Sequence, residues 1–163
     1  MIILTTTEII IRLAVAVGLG ALLGLERTLA GKTAGLRTYA MVSLGSGLFV
    51  IISQVVSLSI RGGMSFDPLR MAAQVIAGIG FIGAGLVIFQ DHKITGLTTA
   101  AGLWVAAGVG MAAGFGLYNI AIISTIFVVL VFTLMWFIEK FLRRFSYKNR
   151  NDEDNHIEKV KIF

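Results

Sequence analysis

Two groups of polar residues in this chain have the types and spacing for chemistry. Glu26, Arg27, Lys32 and Arg37 fall within one short stretch, and Asp91, His92, Lys93, Thr98 and Thr99 form a second. Together they hold two carboxylates, Glu26 and Asp91, against four basic side chains. Magnesium prefers an octahedron of oxygens that includes one or two carboxylates. This balance therefore suits ion pairing, an anion or a protein surface better than a cation cage. A smaller set comprises Glu8, Arg12, Asp67, Arg70 and Gln74. Glu8 and Arg12 stand four apart on one helical face, the spacing of a local ion pair. Gln74 needs a partner, with Arg12 and Ser57 as candidates, or else it lines a small polar cavity. The chain has no cysteine, and its two histidines, His92 and His156, are far apart. No phosphate loop, His-Glu metal motif or nucleophile with a nearby base occurs. A non-enzyme with no resident cofactor is expected.

The elements that must position these residues follow from composition. Of 163 residues, 56% are hydrophobic and 14% charged, with a mean hydropathy of +0.88. A soluble domain carries about 25% charged residues, so a water-soluble globular fold is excluded. Five stretches are apolar enough to cross about 30 Å of hydrocarbon, which takes about 17–25 residues: 9–25, 38–60, 71–89, 97–114 and 118–138. Within lipid each must be helical, because unpaired backbone groups are too costly there. The expected fold is an all-α integral membrane protein, with a five-helix transmembrane domain over 1–138 and a basic cytoplasmic tail over 139–163. The first stretch lacks the basic leader and small-residue cleavage site of a signal peptide.

Basic residues set the orientation. Arg27, Lys32 and Arg37 follow the first span, Lys93 follows the third, and Lys140, Arg143, Arg144, Lys148, Arg150, Lys159 and Lys161 occupy the tail. The loop between spans two and three holds Arg61 and Arg70. An N-terminus outside and a C-terminus inside places the larger group in the cytoplasm. The net charge of +5 thus belongs to the membrane's inner surface, not to nucleic acid. Residues 149–155 read as a polar linker, and Ile157–Phe163 as a first strand that either pairs with another chain or is the stub of a missing domain.

Small residues mark where membrane helices approach closely. Ala16, Gly20 and Gly24 recur every four residues in the first span, and Gly102, Ala106, Gly110 and Gly114 do so in the fourth. Gly78, Gly80, Gly83 and Gly85 spread around the third. Such stripes pack helices within one chain, or dock another membrane protein or a second copy as a homodimer. The fifth span is bulky, as expected of a helix that faces lipid. No Asp, Glu, Lys or His lies mid-span, which disfavours a proton relay or a side-chain cation pathway. A carbonyl-lined path through an unwound third span stays open.

The ordered motifs resemble the MgtC/SapB family's membrane domain. They run from Gly20-Ala-Leu-Leu-Gly-Leu-Glu-Arg27 through Lys32 and Ala34-Gly-Leu-Arg-Thr38 to Asp67-Pro-Leu-Arg70 with Ala72-Ala-Gln74. Gly78-Ile-Gly-Phe-Ile-Gly-Ala-Gly85, Gly96-Leu-Thr-Thr-Ala-Ala-Gly-Leu-Trp104 and Gly110-Met-Ala-Ala-Gly-Phe-Gly116 continue the series. The resemblance implies a bacterial inner-membrane protein tied to low-magnesium adaptation and, in pathogens, to survival inside host cells. It also implies a regulatory role that includes contact with the F-type ATP synthase, and an ACT-like cytoplasmic domain after the last span. Two readings follow. One is a regulator acting through helix contacts and an inner face of Glu26, Arg27, Arg37, Thr98 and Thr99. The other is a small transporter or channel for magnesium or another ion, using the outer set of Arg12, Asp67, Arg70 and Gln74.

Overall fold

The computed structural model describes residues 4–59, 67–90 and 93–160. The chain forms helices α1 (Thr6–Leu29), α2 (Leu36–Ser59) and α3 (Pro68–Ala84), strands β1 (Ile88–Gln90) and β2 (Lys93–Thr95), and helices α4 (Leu97–Gly114) and α5 (Tyr118–Val160). α1, α2, α4 and the segment Tyr118–Leu142 are each long and apolar enough to cross a membrane, whereas α3 is shorter. The chain is a membrane protein by this measure.

Local signals explain the helix starts. Thr5 caps α1 in a capping box: its hydroxyl accepts from the Glu8 N–H at 3.2 Å, and the Glu8 carboxylate accepts from the Thr5 N–H at 2.8 Å. Asp67 caps α3 by accepting from the Leu69 N–H at 2.9 Å, with Pro68 in the first turn. α4 ends at a tight corner where Gly116 takes φ +78° and Leu117 N–H reaches the Ala112 carbonyl at 2.8 Å.

Two sequence expectations need correction. The third apolar stretch is not one helix over 71–89. It ends at Ala84, and Ile88–Gln90 pair antiparallel with Lys93–Thr95, Phe89 facing Ile94 across the ladder. The fold is therefore not purely α-helical. The β-branched and aromatic residues of this segment favour extended pairing, and Gly96 at φ +87° turns the chain into α4, packed so close to the Leu86 carbonyl that a side chain would collide with it. The second correction concerns the tail. Residues 149–155 and the expected strand as far as Val160 continue α5 instead of forming a linker and a strand, and 161–163 lie outside the described residues. A helix pairs its own backbone groups, whereas a lone strand leaves them open.

The chain divides into two units, 1–129 and 130–163. The first is organised by α2, which packs against α1 and α4 while α1 and α4 also touch. A methyl group on Gly20 would sit 2.6 Å from Ser43 Cβ, and one on Gly24 would sit 2.6 Å from Leu36 Cα. On the other side, a methyl on Gly114 would sit 2.6 Å from the Gly47 carbonyl oxygen, and one on Gly110 would collide with the Ser43 carbonyl. The core is filled by Ala16, Leu23, Tyr39, Leu103, Ala106, Val109 and Ala113, with Ala121 from the start of α5. Further along that helix Ile122, Ile123, Ile126 and Phe127 are exposed, as a lipid-facing surface requires. In the second unit Leu134, Trp136, Phe137 and Phe141 are exposed, and the Lys140 ammonium lies 5.1 Å from the Trp136 ring.

The seam gives a direct test. Gly110→Ala forces a Cβ into backbone and should destabilise the folded protein by about 1–3 kcal/mol, the usual range for overpacking. Gly108→Ala meets open space on the same helix and should be neutral or stabilising, because alanine is the better helix former by about 1 kcal/mol. Thermal unfolding in detergent compares the two.

Candidate functional site

The outer set does not converge. Arg12 Nη1 donates to Gln54 Oε1 and to the Gly114 carbonyl, both at 2.8 Å, and so ties α1 to α2 and to the end of α4. A guanidinium suits that place, because the final carbonyls of a helix carry partial negative charge. The expected Glu8–Arg12 ion pair is absent among the described residues: Glu8 is engaged in the α1 cap. Nor does Gln74 reach Arg12. It lies instead on a groove of about 460 Å³ between α2 and α3, lined by residues including Gly45, Ser46, Phe49, Gly78 and Ile79. Asp67 is spent on the α3 cap, and Arg70 is exposed on the first turn of that helix. Arg61 lies outside the described residues.

The inner set converges in part. Arg27 is buried and its Nε donates to the Glu26 carboxylate, although successive helical positions normally point apart. Tyr39, fully buried, donates its hydroxyl to the Thr99 carbonyl at 3.2 Å and joins α2 to the start of α4. Arg27 and Glu26 lie within electrostatic reach of Tyr39. Thr99 is buried, Thr98 is exposed, and Arg37 is exposed on the first turn of α2. Asp91 and His92 lie outside the described residues.

Residues that the motif reading passed over do much of the joining. Ser43 Oγ donates to the Ala16 carbonyl at 2.7 Å, inside the α1–α2 seam. Thr28 Oγ1 donates to the Gly24 carbonyl and accepts from the Leu36 N–H, both at 3.0 Å, fastening the α1–α2 corner. Gln54 was visible as a lone amide in an apolar run, and Tyr39 as a polar-tipped ring at a span end. Either feature signals a buried partner, because a polar group in hydrocarbon needs one. The small residues Ala16, Gly20, Gly24, Gly102, Ala106, Gly110 and Gly114 are all buried inside the chain.

Among the described residues this arrangement ties helices to one another. Among the described residues no three of His, Cys, Asp and Glu come together to hold a metal. The Glu26 carboxylate is engaged by Arg27.

Apolar helices locked by glycine seams, with deep polar groups tied to internal partners, define a multi-pass membrane protein. The chain belongs to the MgtC family, whose model matches residues 13–141. It is similar to a protein of Escherichia coli (strain K12) named "Putative magnesium transporter YhiD", 45% identical over 131 residues, which cover 77% of this chain and 60% of that protein. Protein MgtC of Brucella abortus (strain 2308) is 43% identical over 123 residues, 76% of this chain and 49% of its own length. Protein MgtC of Salmonella typhimurium is 41% identical over 92 residues, 56% of this chain and 37% of its own. The chain thus spans between about half and three fifths of the length of the first two relatives. No solved structure matches.

The Arg12 junction is testable by a double-mutant cycle of Arg12→Lys and Gln54→Leu. A charge-assisted hydrogen bond contributes roughly 1.5–3 kcal/mol. The two substitutions should therefore couple by about that amount in unfolding free energy, while Arg70→Lys paired with Gln54→Leu should add without coupling.

Proposed function

We propose that this chain is the membrane part of a regulator of the bacterial inner membrane, tied to low-magnesium adaptation and to membrane energetics through contact with the F-type ATP synthase. It is not an enzyme, and it crosses the membrane five times with its N-terminus outside and its tail in the cytoplasm. The observation that carries the reading is the seam: α2 is in near-backbone contact with α1 through Gly20 and Gly24 and with α4 through Gly110 and Gly114. The space between these helices is filled by fully buried Leu23, Tyr39, Leu103 and Ala106, where a transport path through the bundle would need room. The likeness to the MgtC relatives supports the link to magnesium, and the helices α1, α2, α4 and α5 supply surfaces for contact with other membrane proteins.

The alternative is a transporter. It is favoured by the name of the Escherichia coli relative and by the α2–α3 groove, which Gln74 lines. Magnesium flux into proteoliposomes separates the two readings. The regulatory reading expects no saturable uptake above empty vesicles from well-folded protein, together with recovery of ATP synthase subunits when the full chain is purified from its own membranes. Saturable uptake that Gln74→Leu abolishes would establish the transporter instead.

The topology has its own test, made clean by the absence of native cysteine. With the five-span arrangement, Thr5→Cys and Asp67→Cys should react with an impermeant maleimide added outside. Lys32→Cys and Thr95→Cys should react only after the membrane is opened. Outside labelling of Thr95→Cys in intact cells would mean that α3 does not cross.

A further inference from the structure

The corner between α1 and α2 holds a cavity of about 410 Å³, lined by Thr28, Lys32, Gly35, Leu36, Arg37 and Thr38. That volume lies within the roughly 300–1,000 Å³ of small-molecule sites. Its walls are fixed. Thr28 bonds both the Gly24 carbonyl and the Leu36 N–H at 3.0 Å, and Lys32 N–H bonds the Arg27 carbonyl at 3.0 Å. Two cationic side chains, Lys32 and Arg37, line the cavity and are exposed, and neither has an ion-pair partner among the described residues. The nearest carboxylate in sequence, Glu26, is taken by Arg27. Among the described residues the cavity therefore carries two positive charges with no ion-pair partner.

We infer that this corner binds a phosphate-bearing anion, gripped by the Arg37 guanidinium and the Lys32 ammonium. The planar fork of arginine matches phosphate oxygens in pairs, and lysine adds a mobile point charge. The Thr38 hydroxyl, on the same wall, is a third donor. Two sources carry this group, free inorganic phosphate and the headgroup of an anionic phospholipid. The setting fits the lipid well. The cavity lies where two apolar helices end, Leu36 forms part of its wall, and Leu29 beside it is 81% exposed. Basic pockets at the ends of membrane helices recognise anionic headgroups in this way. The site is independent of whether the chain regulates or transports.

The full chain, purified in a mild detergent, is titrated with dioleoylphosphatidylglycerol, with dioleoylphosphatidylcholine and with inorganic phosphate, and bound species are counted by native mass spectrometry. Retention of phosphatidylglycerol over phosphatidylcholine is expected. Lys32→Gln and Arg37→Gln should each weaken it about fivefold, the worth of one basic side chain at a membrane surface, and Arg37→Lys should restore part of the loss. Lys93→Gln, outside the cavity, should change nothing. Both target side chains are exposed, so the variants should keep the wild-type helical circular dichroism spectrum. Phosphate binding with the same dependence on Lys32 and Arg37, without lipid retention, would identify the soluble ion as the ligand. Equal lipid and phosphate binding by wild type and the Lys32→Gln/Arg37→Gln double variant, or none by either, would overturn the site.

Discussion

At Gly110 the backbone of α4 lies so close to Ser43 that there is no room for a methyl group between them, and Gly20 of α1 meets the same residue from the opposite side. In water such contact would be assisted by the hydrophobic effect. In lipid it is not, because acyl chains are as apolar as leucine, and close van der Waals approach must hold the helices together. The α1–α2–α4 layer is built from that constraint. Glycine and alanine stripes on α1 and α4 clamp α2 from two sides, and Tyr39, Leu23 and Leu103 are the largest side chains fully buried there. The helices could not be spaced further apart without losing dispersion contacts along the whole seam.

Once the seam is closed, its polar groups have little freedom in where they go. Ser43 finds the Ala16 carbonyl because the two backbones nearly touch there. At one end of the layer Arg12 spans the gap to Gln54 and to the last turn of α4. At the other, Tyr39 reaches the carbonyl of Thr99. The Ser43 bond lies inside the α1–α2 seam, and the other two tie α2 to the two ends of α4. At the α1–α2 corner Lys32 and Arg37 have no ion-pair partner among the described residues, and Glu26, the nearest carboxylate in sequence, is held by Arg27.

Most of the helical layout was legible in the sequence because length and apolarity are one-dimensional properties. The spans over 9–25, 38–60 and 97–114 fall within or nearly coincide with α1, α2 and α4. The third stretch was misread past Ala84 because Ile88-Phe89 is as apolar as the helix before it. Hydropathy does not separate a short β-hairpin from the end of a span, and only the register of Phe89 against Ile94 does. The tail was misread for a related reason, since Ile157 and Val160 stand three apart, a spacing that a charged helix also accommodates. Which polar residues need partners was legible, but not which partners they take. Glu8 and Arg12 share a helical face, yet a cap takes the first and a neighbouring helix the second. Such a choice depends on which helix lies beside α1, and no spacing within α1 encodes it.

The same reasoning sets α3 apart from its neighbours. It touches α2 and α4, but not by glycine seams. A methyl on Gly83 would meet Ala100 Cβ at an ordinary 3.6 Å, and Gly78 and Gly80 face open space. Ile79 is buried while Ile76, Phe81 and Ile82 are exposed, and a groove separates the helix from α2. An element held by few buried apolar contacts lies at the low-stability end of a structure. The glycines of α3 therefore do something different from those of α1 and α4. Gly78 lines the groove, a methyl on Gly83 would meet Ala100 at ordinary contact distance, and neither glycine brings backbones together. Movement between helices in this layer would thus cost least at α3, where no backbone-to-backbone contact has to be broken, and most at α2, which would have to give up both seams at once.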